Sequence, residues 1–222
     1  MDWAGRTRFA DRYIVFNGSS GDNSCHSHIA LQIVFGETAR LELEDGTAIQ
    51  GSLLYIRPHI RHRLAPLGSG RIYLVEPSSR LGAHLLGLCS SEPAGRFAGN
   101  DDSVEQAAST IVGEVTDRRL ERAMALLEQP GAFDLSLDDV ARRVGISQQR
   151  LRALAAHQLG MPLSRWRLWS ALRRAGLAVA QGTSLAEAAI AAGFSDQAHY
   201  SRTMRAMLGI TPGSSRKVLA SG

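Results

Sequence analysis

Several residue types are scarce in this chain of 222 residues. It has two cysteines, Cys25 and Cys89, and neither belongs to a CxxC pair. That excludes a scaffold held by disulfides. No apolar run approaches the roughly 20 residues a membrane span needs. Residues 1–13 lack the apolar core of a secretory leader, so a soluble, cytoplasmic chain is expected. Lysine is almost missing: Lys217 is the only one, and nearly all positive charge is arginine. Charged residues make up 21% and hydrophobic ones 44%, enough apolar material for a buried core. The length suits one large domain or two ordinary ones.

The charge is uneven. Residues 1–102 carry 10 basic and 11 acidic side chains, and residues 103–129 carry 3 and 5. Residues 130–222 carry 12 and 5. A basic final third on a near-neutral body points to a polyanion partner for that third. A merely solvated basic face would give the same count.

Residues 6–80 read as strands. RYIVF at 12–16, ALQIVF at 30–35, ARLEL at 39–43 and RIYLV at 71–75 are short runs bounded by turn residues. Leu41 and Leu43 alternate with Arg40, Glu42 and Glu44, the period of a half-buried strand. A sandwich or barrel is expected. The turn-rich stretch 90–102 closes this block. From Ser103 the pattern becomes helical. Val104, Ala107, Ala108, Ile111 and Val115 recur at helical spacing, as do Leu120, Met124 and Leu127. Gln129-Pro130-Gly131 breaks the helix and marks a second boundary.

Beyond that break the chain repeats itself. LDDVARRVGISQQRL at 137–151 resembles LAEAAIAAGFSDQAHY at 185–200. Both contain Gly-apolar-Ser-x-Gln, at 145–149 and 193–197, and both later contain Leu-Gly-apolar, at 159–161 and 208–210. In each copy an apolar helix face ends at a glycine, Gly145 or Gly193, where the chain can turn sharply. Ile146 and Phe194 plug the angle. Ser147 and Ser195 are expected to cap the next helix. That helix buries Leu151, Leu154 and Ala155 in the first copy, and Tyr200, Met204 and Met207 or Leu208 in the second. It turns Gln148, Gln149, Arg150 and Arg152, or Gln197, His199, Ser201 and Arg202, outward. Each copy is thus a helix-turn-helix. Gln suits the paired donor and acceptor of adenine, and Arg suits guanine or phosphate. Between the copies, 164–180 reads as a helix about 25 Å long. Trp166, Trp169, Leu172 and Leu177 are expected to tie both units to it. Such a spacer could set the outward helices about one duplex turn apart.

Residues 133–216 resemble the DNA-binding domain of the AraC/XylS family of transcription regulators. The text that carries the resemblance is 137–160, WRLWSALRRA at 166–175, AIAAGFSDQAHYSR at 189–202 and GITP at 209–212. The resemblance implies seven helices, with two helix-turn-helix units in adjacent major grooves of double-stranded promoter DNA. The implied DNA contacts are Gln148, Gln149, Arg150 and Arg152 in the first unit. In the second they are Ser195, Gln197, His199, Ser201 and Arg202. The sequence departs from the family pattern at Ala153, Ala155, Ala156 and Ser215, which leaves the first unit with fewer candidate phosphate contacts.

His26 and His28 stand two residues apart, so on a strand their rings would share a face. GSLLYIRPHIRH follows at 51–62. HxH and then Gly…Pro…His resembles the cupin barrel, which often holds a metal through such histidines. Gln32 stands where metal-binding cupins usually have Glu. His26, His28, Gln32 and His62 are therefore candidates for an effector or metal site, with zinc the foremost metal. An organic-effector pocket without metal, or purely structural histidines, fits the same residues. His59 reads as a loop residue, His84 and His157 as ordinary helix residues, and Cys25 as buried and inert.

The fold class read from all this is a two-domain α+β chain. A cupin-like sensor barrel occupies 1–102, a helical linker or dimerisation segment 103–130, and an AraC-type DNA-binding domain 131–222. The function implied is a sequence-specific transcription regulator that answers to a small-molecule or metal signal. Its expected partners are DNA, an effector, RNA polymerase and a second copy in a homodimer, with no membrane. The alternatives are a metal-dependent cupin enzyme with an accessory helical domain, and a module whose arginine-rich helices bind an acidic protein. A fragment of residues 130–222 is expected to bind specific DNA alone, with a steep salt dependence.

Overall fold

The computed structural model describes residues 3–100, 102–111, 117–129 and 132–213. Its first half is a seven-stranded antiparallel sheet made of β1 (Ala4–Phe9), β2 (Tyr13–Ser20), β3 (Leu31–Leu43), β4 (Ala48–Ile56), β5 (His62–Leu64), β6 (Leu67–Val75) and β7 (Ala94–Arg96). The strand order is β1-β2-β6-β3-β4-β7, with β5 paired to β3. The runs expected at 30–35 and 39–43 are one strand, β3, with a register irregularity between Phe35 and Ala39. Among the described residues the ladder ends at β1 and β7 and does not close on itself.

Strand alternation sorts the apolar residues onto the two faces of this sheet. Leu31, Ile33, Phe35, Tyr73 and Val75 pack with α1 (Arg80–Gly87) and α2 (Ser103–Thr110). Val34, Ile72, Leu54 and Leu41 pack on the opposite side with Phe16 and Leu64. Every residue from Leu31 to Phe35 is buried, because β3 is paired on both edges and covered on both faces.

The second half is helical: α3 (Arg118–Glu128), α4 (Leu137–Arg143), α5 (Gln148–Leu159), α6 (Leu163–Ala180), α7 (Leu185–Ala191) and α8 (Gln197–Leu208). The segment read as helical from 103 onward is therefore two helices. Ile111 and Asp117 are extended, and Val115 lies outside the described residues. The two helices have different homes. Val104 and Ala107 of α2 pack on the sheet, whereas Leu120, Ala123, Met124 and Leu127 of α3 lie in the helical core. The apolar faces of α2 and α3, which motivated a dimer, are thus occupied within the chain. Six helices of the helical part are described. Pro212 and Gly213 are helical, the start of the seventh implied helix, and its continuation with Ser215 lies outside the described residues.

The helical core also takes in Ile29 and Ala30 of the sheet domain, with Ile14 and Leu74 packed against it. One polar clamp strengthens this seam. Arg173 of α6 binds the buried Glu76 carboxylate and donates to the carbonyls of Ala10 (2.8 Å) and Asp11 (3.0 Å). Gly176 lies over Phe9, where a Cβ would sit 2.8 Å from Cζ of that ring.

Candidate nucleic-acid interface and histidine cluster

The two repeated units fold from the same parts. Ser136 and Ser184 cap α4 and α7, each within a capping box closed by Asp139 or Glu187. Gly145 and Gly193 turn the chain at φ 74° and 96°. There the missing Cβ makes the left-handed backbone cheap. Ile146 is half-buried and Phe194 buried, as plugs should be. Ser147 caps α5, accepting from the Arg150 amide at 3.2 Å.

The second cap differs from expectation. Asp196, not Ser195, caps α8 and accepts from the His199 amide at 2.6 Å. A carboxylate is the stronger acceptor for a helix N-terminus. Ser195 turns instead to the His199 ring, with its Oγ 3.2 Å from Nδ1. That ring also stands edge-on to Phe194 and Phe133, with centroids 5.1 and 6.4 Å away. His199 is consequently half-buried.

The other candidate contacts fall as follows. Gln149, Arg150 and Arg152 on α5 are exposed and Gln148 is half-buried. On α8, Gln197 and Arg202 are exposed, Ser195 just before the helix is exposed, and Ser201 is half-buried with its hydroxyl on the Gln197 carbonyl. Leu151, Leu154, Ala155, Tyr200, Met204 and Met207 are buried beneath them. In α6, Trp166, Trp169 and Leu172 are buried as expected, but Leu177 is 42% exposed and ties nothing.

Not all of the basic third is available to a polyanion. Arg173 clamps the sheet, and Arg174 donates to the Ala192 carbonyl at 3.0 Å. Arg167 donates to the Leu135 carbonyl and lies over the Phe133 ring. Arg142 pairs with Asp138 and Asp139. Arg150, Arg152, Arg202 and Arg205 remain exposed on α5 and α8.

His26, His28 and His62 do come together, though not on one strand. His26 and His62 exchange backbone hydrogen bonds in an isolated bridge, while His28 lies in the loop before β3. One ring nitrogen from each lies within 4.8 Å of the others. All three are buried. Each Nδ1 faces a carbonyl: Ser24 for His26 (2.8 Å), Ala30 for His28 (3.0 Å) and Ile60 for His62 (2.9 Å). Those carbonyls fix the proton on Nδ1 and leave each Nε2 as a lone pair. Burial favours the neutral rings. It lowers the His26 pKa, holds His28 well below the usual imidazole value with help from its two neighbours, and brings His62 down to about 4.

Gln32 Oε1 sits 2.8 Å from Nε2 of His28 and 3.2 Å from Nε2 of His62. An amide oxygen and two imidazole lone pairs repel each other at that range. Two arrangements relieve the repulsion. The amide turns over and its NH₂ donates to both rings, or a cation sits among them. Three neutral imidazoles with an oxygen donor suit a borderline transition ion such as zinc. Cys25, next to this cluster, is exposed rather than buried. His84 and His157 are exposed helix residues, as read, and His59 is a turn residue at φ 68° within 3.3 Å of Arg165.

Beside the cluster lies a cavity of about 110 Å³. Sheet residues including Trp3, Phe9, Ile14, His26 and His28 form one wall, and Trp169, Tyr200, Met204 and Leu208 form the other. Among the described residues, the buried Trp3 Nε1, Trp169 Nε1 and Arg173 Nε have no hydrogen-bond partner. No spacing or periodicity signalled this cavity, because its two walls come from segments more than 90 residues apart.

Comparison with known proteins is consistent with this geometry. A family described as a helix-turn-helix domain matches residues 140–217. No curated protein matches the chain. Among solved structures, apo ToxT K231A from Vibrio cholerae superposes with a TM-score of 0.61 at 10% identity, covering 95% of this chain and 98% of that one. Wild-type ToxT bound to an unsaturated fatty acid gives 0.59 at 10% identity, covering 97% and 98%. An AraC-type regulator from Chromobacterium violaceum is 35% identical over 46% of this chain and 93% of its own, with a TM-score of 0.43. A sheet domain followed by a helical domain is the fold shared with ToxT over nearly the whole chain. With paired helix-turn-helix units, exposed arginines on α5 and α8 and the family match over 140–217, this part of the chain is a helix-turn-helix domain of DNA-binding type.

Proposed function

We propose that this chain is an AraC-type transcription regulator that reads promoter DNA with α5 and α8, and that a ligand between its sheet and helical domains sets its grip. In the first unit Gln148, Gln149, Arg150 and Arg152 contact the duplex. In the second the contacts come from Ser195, Gln197, His199, Ser201 and Arg202, with Gln197 and Arg202 carrying most of the base reading. The half-buried His199 acts mainly by holding Ser195. The proposed organisation keeps 1–102 as a cupin-like sensor. Within 103–130, α2 belongs with the sheet and α3 with the DNA-binding domain. Homodimerisation and a contact to RNA polymerase belong to the same proposal, and the dimer would need a surface other than the occupied faces of α2 and α3. The site of action is the cytoplasm, where the DNA is. Among the described residues no helix is long and apolar enough to cross a membrane.

One observation carries the ligand reading: α8 and α6 wall the same cavity as the sheet. A ligand there touches the reading helix directly, so it can favour one arrangement of the two domains over another. A cavity of about 150 Å³ holds one benzene ring. This one, at about 110 Å³, is smaller. An organic effector of any length therefore separates α6 or α8 from the sheet as it enters. The tryptophan N–H groups favour a ligand with acceptor oxygens on an apolar body, and the ToxT structures with a fatty acid agree with that class. A second ligand, a transition ion with zinc foremost, is favoured by the converging lone pairs of His26, His28 and His62 with Gln32 Oε1.

Selection of bound sequences from random DNA, with and without candidate effectors, tests the reading. Enrichment of a half-site pair spaced by one helical turn supports it. Retention that is indifferent to sequence would contradict it and favour the acidic-protein module.

A further inference from the structure

The histidine cluster is joined to the second reading helix by a short seam. Gly209, the left-handed C-cap of α8, packs against the segment that carries His26. Its carbonyl accepts from the Ser24 amide (3.0 Å) and from Ser24 Oγ (3.2 Å). The Ser24 carbonyl in turn accepts from His26 Nδ1. A Cβ added at Gly209 would lie 2.5 Å from the Ser24 oxygen and 2.6 Å from His26 Nδ1. The seam is thus one unbroken path: imidazole, Ser24 carbonyl, Ser24 amide, helix C-cap. Gly160, the matching cap of α5 at φ 67°, has open space around the same position.

We infer that a divalent transition ion bound by His26, His28 and His62 is read out mechanically by α8, through Ser24 and Gly209, more strongly than by α5, which the cluster reaches only by way of the His59 amide on the His28 carbonyl and the His59 ring on the Gly160 backbone. The inference rests on the metal reading above. The ring nitrogens spread over as much as 4.8 Å. Ligand nitrogens around a tetrahedral ion with bonds near 2.0–2.1 Å stand about 3.3 Å apart. Loading therefore draws the rings together by about 1 Å or more. All three rings are buried, His28 beside Trp169 of α6 and His62 bridged to His26. His26 is the ring whose carbonyl partner holds the helix cap. Its displacement is passed to Gly209, because a seam this close has no slack to absorb it. The ion then acts as an effector by its differential fit to two positions of α8.

Amide hydrogen exchange on the full chain, with and without ZnCl₂, tests this against zinc stoichiometry from calorimetry. One zinc per chain is expected. Exchange at 24–26 and 205–209 should change at least fivefold, with a clearly smaller change at 156–160. His62→Ala should abolish both zinc uptake and the exchange response. Gly209→Ala, which wedges the seam, should keep zinc uptake and lose the response in α8. Ser24→Pro, which removes the amide donor, should behave the same way if Gly209→Ala fails to fold. Zinc uptake at one per chain without any change at 205–209, or with an equal change at 156–160, would overturn the readout and leave the metal site standing. No zinc uptake by folded protein would overturn the metal reading and the readout together.

Discussion

Gly160 and Gly209 end the two reading helices in the same left-handed conformation, yet a Cβ would meet open space at the first, whose backbone bonds the His59 ring, and would strike Ser24 and His26 at the second. The same contrast runs along both helices. Leu151 and Tyr200 occupy matching inward positions, but only Tyr200 lines the cavity beside the histidines. The repeat therefore built two units of one design and gave them different neighbours. The first rests on the helical core and touches the sheet domain at its cap, through His59. The second can be moved by whatever happens in the sheet domain. An affinity set by two half-sites can then be tuned through one of them, with the other keeping register on the duplex.

Substitutions can break or sharpen that contrast. The largest effect is expected at the clamp. Arg173→Ala leaves the buried Glu76 carboxylate without its closest partner and should cost about 3 kcal/mol in denaturant unfolding. Next comes Tyr200, whose phenol is raised to about 12 by burial. The folded chain keeps that proton above pH 10 while the unfolded chain loses it, so stability should fall between pH 10 and pH 12. The Tyr200 share is about 2–3 kcal/mol. Tyr200→Phe should flatten that part of the profile, and Leu151→Met should leave it unchanged.

The cap glycines come third. Gly160→Ala should cost about 1 kcal/mol for its backbone conformation alone. Gly209→Ala, which adds a close contact with Ser24, should cost roughly twice that by thermal unfolding. Smallest is the helix cap. Asp196→Ala should cost about 1 kcal/mol, like Ser147→Ala, whereas Ser195→Ala should be close to neutral in stability.

Local rules made the helical domain legible. The periodicity of 137–151 and 185–200, the glycine turns and the plugs at Ile146 and Phe194 all depend on near neighbours in sequence. The boxes Ser136–Asp139 and Ser184–Glu187 are equally visible once sought, since each is a serine three residues before an acid. Ser195 misled because Asp196 beside it can also cap, and its carboxylate took the position. The histidines were found by spacing, although the strand that was to align His26 and His28 does not form. A bridge to His62 does that work instead. Illegible were the features made by distant segments: the cavity, the Arg173–Glu76 clamp, the exposure of Cys25 and the place of α3. The last one matters in practice. A fragment beginning at residue 130 would strip Leu120, Ala123, Met124 and Leu127 from the helical core, so a DNA-binding fragment should begin before Asp117.

Footprinting of the full chain on its selected duplex tests the central claim most directly. Two protected major-groove segments one helical turn apart on one face are predicted. Arg150→Ala should weaken one segment and Arg202→Ala the other, each lowering affinity by about 1–3 kcal/mol. A single protected segment, or two segments that both survive these changes at full affinity, would contradict it.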